Sequence, residues 1–181
     1  EDLWHNSTDI QQRVAEIETG KSATKTYVIG DPEASKKKYN EILGTATKEI
    51  FIVTSSAGLV EAWKKLPQLK EKAEKGVSIM IMAPIIKDNL ESALQLSECC
   101  RVKHVPASYM GTTIVDGKHL FQFKKMPTDW ENYNNIAIFE NMFYTDDFDY
   151  VEKTRRMLDD TWKHAIAPSA ITIEEITKPP N

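Results

Sequence analysis

The chain has 181 residues, 41% of them hydrophobic, enough for one domain that buries roughly 70% of the surface its unfolded form exposes without a covalent staple. Its formal net charge of −4 weighs against a nucleic-acid-binding surface. No apolar run approaches the roughly 20 residues that span a bilayer, so neither direct nucleic-acid contact nor a membrane segment is expected.

In chain order, Ser7 to Glu18 opens with polar cap candidates and sets Ile10, Val14 and Ile17 at helical spacing before Gly20. A short amphipathic helix follows, lying on the domain or continuing an upstream helix that pairs with its copy. Lys25 to Ile29 reads as a brief strand closed by Gly30-Asp31-Pro32. The next helix, Ala34 to Leu43, carries Tyr39, Ile42 and Leu43 on one side, with Lys36, Lys37 and Lys38 as a solvated face.

Lys48 to Thr54, KEIFIVT, is the clearest buried strand, and it runs into Thr54, Ser55 and Ser56 ahead of a helix carrying Leu59, Trp63, Leu66 and Leu69. Hydroxyls at a strand's carboxyl end and a helix N-terminus either cap the helix or meet a polar ligand. Glycine-rich spacing and a Gly-Lys-Ser/Thr ending are absent, so this is no phosphate-binding loop.

Val77 to Ala83 makes the second core strand, and the intervening helix implies a right-handed crossover and a parallel pair. A helix over Asp88 to Cys99 and an edge strand over Arg101 to Val105 continue the pattern. Cys99 and Cys100 are neighbours without zinc-knuckle spacing; they read as ordinary thiols, as in a reducing cytoplasm. Asp146, Asp147 and Asp149 lack the full calcium-loop spacing, so no metal and no cofactor is expected.

Ser108 to Lys125 reads as two strands joined at Asp116-Gly117, a strong hairpin signal. A polar loop over Pro127 to Asn135 with Trp130 and Tyr133 follows, then a strand over Ile136 to Phe139 and a final helix over Tyr150 to Ala165. The expected division is a connecting helix over 1–20, an α/β domain over 21–165 and a linker or tail over 166–181. The absence of an initial methionine and the Lys-Pro-Pro-Asn end suggest an excised piece of a larger protein.

The order of elements, with the turn GDPE, the strands ATKEIFIVTS and KGVSIMIMAP, the hairpin VDGK and the closing YVEKTRRMLDDTWKHA, resembles phospholipase D-like domains. It is more similar to their non-catalytic versions in sugar-sensing TrmB-type archaeal regulators and in input modules of archaeal sensor histidine kinases. Active members carry His-x-Lys, four residues, then Asp. With Asp116 as that Asp, the His falls on Tyr109 and the Lys on Gly111. A phenol with a pKa near ~10 is a poor replacement for a nucleophilic histidine, and glycine cannot clamp a phosphoryl oxygen.

The resemblance therefore implies an α/β half-domain with a mixed, mostly parallel central sheet flanked by helices. It also implies no catalytic residues and a signal-receiving role in signal transduction. Its partners would be an unknown small-molecule ligand, a second copy of the chain through the terminal helices, and a kinase or transcription-regulating output domain in the same parent chain. Thr54, Ser55, Ser56, His104, Tyr109 and Asp116 are the polar candidates for the ligand site. Trp130, Tyr133 and Phe143 are aromatic candidates to cover apolar or sugar faces. Two alternatives stand beside it: a structural dimerisation module without ligand, and a phosphodiesterase-type hydrolase using one of the scattered histidines His5, His104, His119 or His164.

Overall fold

Short apolar runs rich in Ile, Val, Phe and Met pair into one seven-stranded sheet because each is too short to be stable alone and has two faces to bury. A computed structural model describes residues 23–106, 110–124 and 136–171. The helix expected over Ser7 to Glu18, the candidates Tyr109, Trp130 and Tyr133, and the tail after Ile171 lie outside the described residues.

The strands are β1 (Thr26–Ile29), β2 (Glu49–Val53), β3 (Ser78–Ala83), β4 (Arg101–His104), β5 (Gly111–Val115), β6 (His119–Phe123) and β7 (Met142–Thr145). Their spatial order is β1-β7-β6-β5-β2-β3-β4. The helices are α1 (Pro32–Gly44), α2 (Ser56–Lys64), α3 (Leu66–Glu74), α4 (Leu90–Leu96) and α5 (Phe148–His164).

The expectation of a mostly parallel sheet is wrong. Only β2–β3 and β3–β4 are parallel; β1–β7, β7–β6, β6–β5 and β5–β2 are antiparallel. The helical crossovers that require parallel pairing connect β2, β3 and β4 alone, and the hairpin then lays β5 back along the free edge of β2.

Alternation along β2 divides the core. Ile50 faces a cluster with Ile79, Ile81 and Ala83, covered by α2, α3 and α4. Phe51 and Val53 face the other side with Met80, Met82, Ile114 and Leu120, covered by Val151, Leu158 and Trp162 of α5. On the first side, α1 packs Tyr39 against Phe121, Phe123, Met142 and Tyr144 of β6 and β7. Each of the fully buried Leu, Ile or Phe side chains contributes about 1.5–3 kcal/mol.

Two local readings change. Ile136 to Phe139 is no strand; Ala137–Phe139 forms a 3₁₀ turn that seats Phe139 in the aromatic cluster, and the strand is the following β7. The helix after Ser56 breaks at Lys65 into α2 and α3, because Pro67 lacks an N–H and is accepted only in the first turn of a new helix.

The expected hairpin turn forms, with Asp116 and Gly117 at φ 53° and 65° and the Lys118 N–H donating to the Val115 carbonyl at 3.0 Å. Beyond α5, His104 and Ile166 exchange both backbone hydrogen bonds, so the chain after Ala165 still touches the sheet edge.

Candidate functional site

The parallel strands deliver their carboxyl ends to one edge of the domain, and the residues after β2 show how that edge is wired. Ser55 is the N-cap of α2, its hydroxyl accepting from the Gly58 N–H at 3.1 Å. Ser56 donates its hydroxyl to the Pro84 carbonyl at 3.0 Å. Buried Asn89 donates to the carbonyls of Ser56 (3.2 Å) and Pro84 (3.0 Å), so Ser56 and Asn89 tie α2 to the exit of β3. His104 Nδ1 accepts from the Ile85 N–H at 2.9 Å, which leaves the proton of the neutral ring on Nε2.

Thr54 differs from these neighbours. Its N–H donates to the Met82 carbonyl, but its hydroxyl takes no partner among the described residues. The hydroxyl sits where it does because residue 58 is glycine: a Cβ there would lie 1.8 Å from Thr54 Oγ1.

Thr54 and Gly58 form one end of a cleft of about 530 Å³ between α1 and the α2–α3 pair. Its floor is Ile50, Ile52, Gly111, Thr113 and Phe123, and α1 contributes Tyr39, Asn40 and Leu43. Glycines at 44, 58 and 111 all line it, so side-chain bulk is withheld at three points. Tyr39 OH and Thr113 Oγ1 satisfy each other at 3.1 Å, and burial raises the Tyr39 pKa, keeping the phenol neutral. Lys72 reaches from α3 to the Gly44 carbonyl at 3.3 Å, fastening the end of α1 across the cleft.

The rim is basic. Lys36, Lys65 and Lys72 line it, and its one carboxylate among the described residues, Glu61, is engaged by Lys64 at 2.5 Å. Lys36 and Lys65 have no hydrogen-bond or ion-pair partner among the described residues. Burial lowers the Lys65 pKa, Glu61 opposes that shift and Lys36 adds to it, so the two ammonium groups feel one another.

Asp116 lies elsewhere. Its carboxylate accepts from the backbone N–H groups of Thr47 (3.0 Å), Lys48 (2.8 Å) and Glu49 (2.9 Å) and from the Thr47 hydroxyl (3.2 Å). Burial pushes its pKa up, but the N–H groups of Glu49, Thr47 and Lys48 and the Thr47 hydroxyl together hold it below the usual carboxylate value. These contacts lie at the amino end of β2, about 17 Å from Thr54 at the ~3.3 Å rise of a strand. Asp116 is a staple between the hairpin turn and the entry to β2.

Of the predicted candidates among the described residues, then, Thr54, Ser55, Ser56 and His104 gather at one end of the sheet, only Thr54 of these opens into the cleft, and Asp116 is at the opposite end. Phe143 packs against Tyr150 at 5.7 Å on the face away from the cleft. Sequence reasoning missed Lys36, Lys65 and Thr113; the first was read as part of a solvated lysine run, and no local pattern links the three. A second cavity, of about 450 Å³, lies beside Cys100, Arg101, Lys103 and Trp162. There Lys103 is committed to Trp162, with its ammonium 4.9 Å from the ring and 2.8 Å from the carbonyl.

No protein-family model and no curated protein sequence matches the chain. Among solved structures it is similar to TrmBL2, an archaeal chromatin protein described as showing a novel mode of DNA binding, with TM-score 0.57 and 13% identity over 92% of this chain. The chain spans 63% of TrmBL2's length. It is also similar to NucT from Helicobacter pylori, with TM-score 0.53 and 16% identity over 80% of this chain and 98% of that one.

At these identities the likeness shows the fold, and it agrees with the resemblance to TrmB-type proteins at that level. The set of partners inferred from sequence, which left out direct nucleic-acid contact, does not stand, because a protein of this fold is itself a DNA-binding chromatin protein. A net charge of −4 describes the whole surface and does not describe a local lysine-rich face. Among the described residues no helix is long and apolar enough to cross a membrane.

Proposed function

We propose that this domain is a non-enzymatic, signal-receiving module of a regulatory protein, and that the cleft between α1 and α2–α3 is its small-molecule receptor site. The observation that carries the reading is the cleft's position: it opens over Gly111, where the resembled phospholipase D-like enzymes would place their lysine. Among the described residues no histidine or cysteine lines it, and its single carboxylate is held by Lys64.

A ligand acts as a signal only if it favours one arrangement of the protein over another. The cleft offers such an element, since α1 stands on one wall and α2–α3 on the other, joined at one end by Lys72 and Gly44. A ligand spanning the walls would bias their separation. The input modules of archaeal sensor kinases and the TrmB-type regulators both suit a module of this kind.

The test is titration of the isotope-labelled chain with a mixed metabolite set, reading backbone amide shifts. The reading expects shifts concentrated at Thr54, Gly58, Gly111 and Thr113, and it fails if those amides stay still throughout.

A second reading is favoured by the likeness to TrmBL2: direct DNA contact through the lysine run of α1, Lys36, Lys37 and Lys38. Phosphate contacts release counterions, so binding of a labelled duplex should weaken steeply between 50 and 200 mM salt and on replacing the three lysines by Ala. Salt-independent or undetectable binding removes this reading.

A further inference from the structure

We infer that the cleft selects an amphipathic small-molecule anion, an apolar body bearing one carboxylate or phosphate group, with Lys36 and Lys65 holding the charged end. This rests on the receptor reading above and narrows it to a chemical class.

The floor supplies the first half of the case. Ile50, Ile52 and Phe123, with Leu43 of α1 beside them, present hydrocarbon and aromatic surface, and the polar groups Tyr39 OH and Thr113 Oγ1 are already bonded to one another. A sugar needs several convergent donors and acceptors, since each hydroxyl buried without a partner costs about 1–3 kcal/mol. Among the described residues the floor offers only that bonded pair, Asn40 and Gln68 being exposed, so the sugar class implied by the TrmB-type resemblance fits it poorly.

The rim supplies the second half. Two ammonium groups on opposite walls, Lys36 on α1 and Lys65 at the α2–α3 junction, have no acidic partner within salt-bridge distance among the described residues, and the neighbouring Glu61 is occupied by Lys64. An anionic group placed between them would gain charge-assisted hydrogen bonds from both. The Thr54 hydroxyl, without a partner among the described residues, adds an orienting donor to the lining. The volume of about 530 Å³ lies within the range of roughly 300–1,000 Å³ usual for small-ligand sites.

The experiment uses the 181-residue chain and three probes of one shape: 4-phenylbutanoate, 4-phenylbutan-1-ol and 4-phenylbutylamine. Amide shifts give affinity and location together. The acid is expected to bind at the cleft at least about tenfold more tightly than the amine, and Lys36→Ala and Lys65→Ala each to weaken it about tenfold. Lys75→Ala, at a lysine paired with Glu71 outside the cleft, is expected to leave binding unchanged. Equal binding of acid and alcohol, preference for the amine, or indifference to both lysine replacements overturns the anionic class. If shifts nevertheless appear at Thr54 and Gly111, the receptor reading survives that result. Failure of all three probes also overturns the class, while the receptor reading falls only if the mixed metabolite set leaves the same amides unmoved.

Discussion

Replacing Asp116 separates a structural role from a functional one. In the native chain its carboxylate accepts three backbone N–H groups and one hydroxyl from residues 47–49, joining the hairpin turn to the entry of the central strand. A hydrogen bond to a charged group is worth about 1.5–3 kcal/mol when well shielded, but the Thr47 and Lys48 contacts are exposed and rehydrate when the carboxylate is lost. A total near 2–4 kcal/mol for Asp116→Ala is reasonable, including about 1 kcal/mol for placing alanine at φ 53°. For a chain of this size that lowers Tm by roughly 4–16 °C. Asp116→Asn tolerates the left-handed turn and keeps one acceptor, so it should lose about half as much.

The pH dependence gives a sharper test. Because the folded-state pKa of Asp116 lies below that of the unfolded chain, its stabilisation is fully present above the unfolded value of about 3.9 and disappears as the pH falls through the folded-state value. Urea unfolding of wild type and Asp116→Asn at pH 7 and at pH 2.5 should therefore show a difference that closes in acid. A difference below 0.5 kcal/mol at pH 7 for Asp116→Ala would refute the staple. So would an unchanged wild type–Asn gap at pH 2.5.

Other expectations follow from single contacts. Gly58→Ala should destabilise by about 1–3 kcal/mol despite alanine's better helix propensity, and Thr54→Ala should restore most of that loss in the double variant; additive denaturation midpoints would contradict the predicted clash. Arg155 grips Glu49 through two bonds of 3.1 Å, pairs with Asp159 and lies 4.6 Å over the Phe51 ring, so Arg155→Lys should cost about 1–2 kcal/mol by urea unfolding. His119, bonded to Tyr144 at 2.9 Å, should titrate below the ordinary histidine value by NMR because burial disfavours its cation. Its contribution to stability then declines as pH falls from the unfolded pKa of about 6.5 through the lower folded value.

Local chemistry was legible where one segment decides its own conformation. Asp116-Gly117 specified a turn with two positive φ angles, and Lys48 to Thr54 specified the central strand. Sheet direction was not, since it depends on distant partners: β1 joins β7 across more than a hundred residues, and neither four-residue strand announces the other. Ile136 to Phe139 has a strand's composition, yet Phe139 earns more burial by turning into the aromatic cluster around Tyr39. The cleft was hidden for the same reason. Lys36, Lys65, Gly111 and Phe123 come from α1, the α2–α3 junction, β5 and β6, and only the sheet's order brings them together. Thr54 was accessible to sequence reasoning because a strand end before a helix is a recurrent place for ligands.

The most direct test of the receptor claim is the amide-shift map of the labelled chain against the mixed metabolite set. The account predicts that the responding amides cluster at Thr54, Gly58, Gly111 and Thr113, with Asp116 and the cavity beside Trp162 unaffected. A response centred on Cys100 and Trp162, or a silent cleft at saturating ligand concentrations, would contradict it.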